Sequence, residues 1–422
     1  MSMKKLVLLL IAILTLSVLF SCGNEKPNDP EETNNETFVE TSGETAEEPK
    51  KEEPKRLTEE EKAKYFKVVE FELPEENFRD VMVSEMRKYA SIEWVAAESF
   101  SINEVIGNND WTVNLDYQVG KTYRGIPYTN NLTNYEYFEQ LIVDGKYAPA
   151  SKKWKEAPGM DCWGAIRSAM QQFDSTEGYS ADWVPGQKTF ILEMVGDYKA
   201  PENPQSTGEI CEANGKDVMF ESYMKLQKGD IVYRKDFGKK DYLHCRVVVE
   251  EPTIVKNGAG KVIPSRSYVK CIESTNAFDK TVQGINTTWY VDHTYSLEDL
   301  YNTTYVPLTL PIYSKSLSEL EVPYIALDNE ITPSVLAKGV YASVVKSNFP
   351  LRYVKVEILD KSGNEVAVKD TGKLQEKFSI NLRKDFADIF NDLANGEYTL
   401  VLKAGISRGN AELARVDFAY NK

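Results

Sequence analysis

Cysteine, histidine and carboxylate side chains are the groups here best able to do covalent chemistry, and one of these types is scarce. The chain has 2 histidines, His244 and His293, so any imidazole base must be one of them. Cys162 stands in Gly159-Met160-Asp161-Cys162-Trp163-Gly164, at the start of an expected helix. Backbone N–H groups and the dipole at a helix N-terminus favour an anion, so a thiol placed there ionises readily. A thiolate nucleophile also needs a base to take and return protons. His244, near the start of an expected strand beyond the Gly229-Asp230 turn, fits that role. A third polar group must fix the imidazole tautomer. Glu273, ending the next expected strand in Cys271-Ile272-Glu273-Ser274-Thr275-Asn276, can do so, with Asn276 a weaker substitute. Singly, a buried cysteine, a strand histidine and a strand-end carboxylate are commonplace; their joint order points to acyl transfer through a thiolate. His293, in Tyr290-Val291-Asp292-His293-Thr294, has no motif around it and reads as a surface-loop residue, although a Cys162–His293 pairing stays open.

These residues need a scaffold, and the hydrophobic pattern supplies one. Phe78, Val81, Met82, Met86 and Tyr89 recur at helical spacing after Pro74. A second helix is expected from Cys162, with Ala165, Ile166, Ala169, Met170 and Phe173 on one stripe. Strands are expected at Ile231-Val232-Tyr233, from His244 to Val249 and from Tyr268 to Glu273. Helix first and antiparallel strands after give an α+β domain. Short β runs with turn signals such as Lys361-Ser362-Gly363-Asn364 and Asn395-Gly396 give a small all-β sandwich near the end of the chain. The expected divisions are 1–22, 23–60, 61–310 with an N-terminal helical extension, a connector at 311–335, and the sandwich at 336–422. The sandwich carries no chemical constellation and reads as a structural or interaction module. The aromatic-rich stretch from Trp111 to Trp154 suits core packing, or a groove for sugar or peptide.

Four stretches carry a family resemblance: Gly125-Ile126-Pro127-Tyr128, Asp161-Cys162-Trp163-Gly164-Ala165, Leu226-Gln227-Lys228-Gly229-Asp230 and His244-Cys245-Arg246-Val247. In this order they resemble the NlpC-type cysteine peptidases of the bacterial cell wall, a branch of the papain superfamily, over roughly residues 115–280. The resemblance implies a papain-like domain with Cys162 as nucleophile, His244 as base and Glu273 as orienting residue. The related CHAP-type amidases carry a Glu in a similar strand. It also implies Tyr128 beside the thiolate, its hydroxyl and the Cys162 backbone N–H serving the oxyanion, with Asp161 and Trp163 on the substrate side. The implied substrate is a stem peptide of peptidoglycan, cleaved without a cofactor or metal. The chain departs from the family pattern at Thr129-Asn130-Asn131 and at Trp163, where the family has Trp-Gly-Gly and Ser. The other readings are a binding protein for a glycan or protein on an inactive fold, and the same site acting on another amide or as an acyltransferase.

The first 22 residues set the expected compartment. Lys4 and Lys5 precede an apolar run to about Phe20, the pattern of a signal peptide. Leu19-Phe20-Ser21-Cys22 resembles the bacterial lipobox, which implies cleavage before Cys22, lipid attachment to it, and a membrane-anchored, exported protein. Residues 23–60 carry 13 acidic and 5 basic side chains and 1 aromatic, too little apolar surface to fold, so an extended acidic tether is expected. The whole chain has 422 residues and a net charge of −15, which disfavours sequence-independent nucleic-acid binding. An exported chain permits disulfides among Cys162, Cys211, Cys245 and Cys271, but a bridged Cys162 would not be a nucleophile. Strand alternation places Cys245 on the face opposite His244, and Cys271 on the face of Glu273.

Overall fold

The computed structural model describes residues 52–421, apart from 107–110, 181, 189, 238–241, 373 and 375. The signal segment, Cys22 and the tether up to 51 lie outside the described residues. The described chain is mixed α+β.

Its largest sheet has six strands, in the order Trp289–Ser296, Tyr268–Ser274, Tyr242–Val248, Ile231–Asp236, Val306–Thr309 and Glu193–Met194. Every pairing is antiparallel. The central strands are rich in Val, Ile and Tyr, which fit a pleated buried surface. Ile231, Val232 and Tyr233 are buried in succession, so this strand is covered on both faces. The helix Thr207–Tyr223 packs on the Ile231–Asp236 and Val306–Thr309 strands, and two more helices pack on the sheet near the site. Phe78–Ser91 begins at Asn77, whose side chain accepts the Arg79 N–H at 2.9 Å, and it buries Val81, Met82, Met86 and Tyr89. Cys162–Met170 lies against the Tyr242–Val248 and Tyr268–Ser274 strands.

The Leu226–Asp230 turn is a structural rivet. Gly229 adopts φ +83, a left-handed conformation that glycine reaches without steric cost. Asp230 is buried, and one of its oxygens accepts from Arg79 Nη1 at 2.7 Å and from Thr309 Oγ1 at 2.6 Å. The other accepts the Gln227 N–H at 2.8 Å. One carboxylate thus ties the turn, the Phe78–Ser91 helix and a neighbouring strand together. Removing one partner of a buried ion pair costs about 3–5 kcal/mol. Asp230→Asn is expected to lose stability toward the low end of that range, because Arg79 keeps some solvent. The measurement is the urea midpoint.

The end of the chain forms two four-stranded sheets. One is ordered Glu365–Asp370, Tyr353–Leu359, Gly396–Ile406 and Gly409–Tyr420. The other is ordered Lys67–Glu70, Tyr324–Leu327, Val344–Leu351 and Lys377–Asn381. This differs from the expected divisions. Tyr324–Leu327, inside the supposed connector, is an inner strand, and Lys67–Glu70 from the start of the described chain pairs with it antiparallel. Both are buried or half-buried strands that a lone hairpin could not stabilise. The tether also ends earlier than expected. Thr58 and Glu61 form a reciprocal capping box around the helix Glu59–Lys62. Arg56 pairs with Glu72 at 2.6 Å.

The C-terminal sheets dock on the end of the Cys162–Met170 helix. Arg408 donates to the Glu72 carbonyl at 3.0 Å and to Gln172 Oε1 at 3.3 Å. Ser407 donates to the Gln171 carbonyl. Arg352, buried, reaches Glu136 at 3.2 Å.

Candidate active site

Cys162 is the first residue of its helix, and Asp161 is the cap. The Asp161 carboxylate accepts the Gly164 N–H at 2.7 Å, an interaction worth about 1 kcal/mol to a helix start. Ser274, at the end of the Glu273 strand, donates to the Met160 carbonyl at 3.3 Å and fixes the helix start over the sheet. The Cys162 N–H heads the helix, where no carbonyl of that helix can reach it.

The Cys162 sulfur lies against the backbone of the neighbouring strand at residues 244 and 245. The His244 ring and the Cys245 thiol and backbone N–H are the groups that act on it. Strand alternation had placed Cys245 away from the site, and this is a correction. The Cys245 hydrogen bond, opposed by burial and helped by the charge of His244, holds the Cys162 thiol well below its ordinary pKa. Cys245→Ala is therefore expected to move the pH midpoint of Cys162 alkylation upward, read as the iodoacetamide rate against pH.

His244 is buried, with its Nε2 on Glu273 Oε2. That leaves Nδ1 for the sulfur. Burial alone would lower the imidazole pKa, but the Glu273 carboxylate and the Cys162 thiolate together raise it to about 10. Glu273 is 2 % exposed and fully engaged. Besides His244 it accepts from Arg246 Nε at 3.0 Å and from the Tyr295 hydroxyl. Burial pushes its pKa up, yet His244 and Arg246 outweigh this and hold it at about 2. The Arg246 guanidinium is itself sandwiched, 3.8 Å from the Tyr295 ring centroid and 4.2 Å from that of Tyr305. Such cation–π contacts strengthen when desolvated. The shifts favour a thiolate–imidazolium pair, backed by a carboxylate that does not readily take a proton.

No protein-family model, curated protein or solved structure matches the chain.

The Gly125–Tyr128 stretch reaches the site through backbone stitching. Gly125 has φ +86, and a Cβ there would stand 2.2 Å from Trp289. Trp94 donates to the Gly125 carbonyl at 3.0 Å and Trp289 to the Ile126 carbonyl at 2.8 Å. The Met160 N–H donates to the Pro127 carbonyl at 2.9 Å, which brings Tyr128 beside Cys162 across a long stretch of sequence. Tyr128 is buried. Burial, then the charges of Cys162 and Asp161, push its pKa well up, so its hydroxyl stays a donor. Its ring stands 5.2 Å from that of Trp154. Trp163 is buried and lines a groove together with Tyr128 and Cys162, its indole nitrogen without a partner.

The other candidates fall elsewhere. Asn276 donates to the Thr112 carbonyl at 3.2 Å, while Glu273 holds the imidazole. His293 pairs with Asp279 at 2.8 Å. A bulge between Cys271 and Glu273 shifts the register of the His293 strand, and such bulges re-aim side chains. Cys162, Cys211, Cys245 and Cys271 are all free thiols. Cys271 is buried next to the charges of Arg246 and Glu273.

Sequence reasoning missed Cys245, Arg246 and Tyr295. Arg246 carries a signal, since it lies two residues from His244 on one strand and so shares its face. Tyr295 carries none, because its place is set by the pairing of two separate strands, Tyr295 standing opposite Val269. Cys162, Tyr128 and Asp161 open on a groove of about 490 Å³, also lined by Arg167, Lys235 and Glu376.

Proposed function

We propose that this chain is a papain-like cysteine hydrolase of NlpC type, exported, lipid-anchored through Cys22, and acting on peptidoglycan stem peptides. The observation that carries the chemistry is the Cys162–His244–Glu273 relay at a helix start, opening on a groove of about 490 Å³. The order of the four sequence stretches supports the substrate class, and the lipobox-like run supports the anchor.

The Cys162 thiolate attacks the amide carbon, and the carbonyl oxygen takes the negative charge. The Cys162 N–H and the Tyr128 hydroxyl are the donors proposed for it. The His244 imidazolium gives its proton to the leaving amine as the C–N bond breaks, which leaves a thioester and a neutral imidazole. That imidazole takes a proton from water, the hydroxide adds to the thioester carbon, and the carboxylic acid leaves as the thiolate is expelled. Glu273, fixed by Arg246 and Tyr295, holds the ring with one nitrogen toward the sulfur throughout.

The test is mass spectrometry of muropeptides incubated with the protein and with its Cys162→Ala variant. New stem-peptide fragments with the unsubstituted protein alone are the expected result. No fragments, with Cys162 alkylating no faster than Cys211 or Cys271, would sink the hydrolase and favour a binding protein. No fragments with a hyper-reactive Cys162 would reject the substrate and keep the chemistry.

A further inference from the structure

Two cations line the Cys162 groove, Arg167 and Lys235. Both are buried, at 8 % and 3 % exposure. Each is countered by a far more exposed carboxylate: Arg167 by Glu376, and Lys235 by Asp182 at 3.3 Å. The Glu376 and Asp182 side chains are 42 % and 79 % exposed. The asymmetry has an energetic meaning. A buried cation demands a counter-charge, whereas a carboxylate that keeps its contact with water is well solvated without the pair. The cations are therefore fixed parts of the groove, and the anions are exchangeable.

Arg167 is the more pointed case. It is on the same helix as Cys162, five residues on, about 7–8 Å along the axis. One of its terminal nitrogens donates to the Thr176 carbonyl at 3.2 Å, another meets Glu376, and its Nε is buried without a partner. Glu376 precedes the strand Lys377–Asn381 of the C-terminal sheets and has φ +50, a left-handed conformation uncommon for a non-glycine residue. The C-terminal sheets thus put a carboxylate into the wall of the nucleophile's groove.

Resting on the hydrolase reading, we propose that Arg167 is the receptor for a carboxylate of the substrate peptide, and that Glu376 occupies this place when no substrate is bound. The substrate class is then a peptide with a free carboxylate one or two residues from the scissile amide, since a residue spans about 3.3–3.6 Å. The C-terminal module is a working part of the groove.

The experiment uses the full chain with Cys162→Ala, so that ligand is bound and not consumed. The probes are a muropeptide with its glutamate carboxylate free and the same muropeptide with that carboxylate amidated, titrated by calorimetry. The free acid should bind at least tenfold more tightly. Glu376→Gln should tighten binding of the acid severalfold and leave the amide unchanged. Arg167→Gln should erase the preference, and Arg167→Lys should restore part of it. A mere clamp between module and helix would make Glu376→Gln lower the melting temperature without changing affinity, and that result overturns the proposal. So do equal affinities for the two probes, binding of neither, or a preference that survives Arg167→Gln. Turnover by the Cys162 protein separates the two readings: equal kcat/KM on both probes keeps the hydrolase and rejects the carboxylate receptor, and acid-selective binding without cleavage does the reverse.

Discussion

Glu273→Gln is expected to lower muropeptide hydrolysis about 10⁴-fold, the scale seen when the orienting carboxylate of a triad becomes an amide. The amide can present N–H where His244 Nε2 must donate, which favours the wrong tautomer. The same change leaves Arg246 buried without its carboxylate, so stability should fall by about 3–5 kcal/mol. The pH dependence gives an independent check. Glu273 is held at about 2 against an ordinary 4.5. Its contribution is therefore complete above about pH 4.5 and is lost as pH falls toward 2. His244 is raised to about 10 from 6.5, so its contribution is complete below about pH 6.5 and is lost as pH rises through 10. Cys162, held well below the ordinary 9, works in the opposite sense to His244, so urea midpoints should form a plateau between about pH 6.5 and 9, falling above it and, through Glu273, again below about pH 4.5. Glu273→Gln should flatten the acid limb. An unchanged acid limb in that variant would refute the burial-and-pairing account.

His244→Gln should slow alkylation of Cys162 at pH 5.5 by up to about 10³-fold. An ordinary thiol, with a pKa near 8.5, is ionised to about one part in a thousand at that pH. Cys162, held down by the Cys245 thiol and the imidazolium, keeps a much larger thiolate fraction there. The other described thiols serve as internal controls. Burial raises Cys211, Cys245 and Cys271, so none should react under these conditions. Iodoacetamide labelling with peptide mapping makes the measurement. Equal labelling of Cys162 in both proteins would show that His244 does not hold the charge.

Much of the site was legible because the chain has so few choices. With 2 histidines, the base had to be one of a pair. The nucleophile's place at a helix start followed from the apolar stripe that begins at Ala165. The β runs that carry His244 and Glu273 were equally plain, because strands made of Val, Ile and Tyr declare themselves locally. The rivet at Asp230 was visible as a turn but not as a buried anchor, since its partners Arg79 and Thr309 lie 151 and 79 residues away.

What the sequence determined by itself, then, was local: helix starts, strand identities and the types of group able to do chemistry. These follow from short-range periodicity and capping. Only the tertiary structure decided which side of a strand meets the nucleophile, and Cys245 joined the site because the Cys162 helix packs on its strand. Only it decided that Lys67–Glu70 completes a sheet with Tyr324–Leu327, and that Glu376 stands beside Arg167. Those pairings close loops of some 200 residues or more, where nothing in either segment names the other. They are settled by the burial of both faces at once.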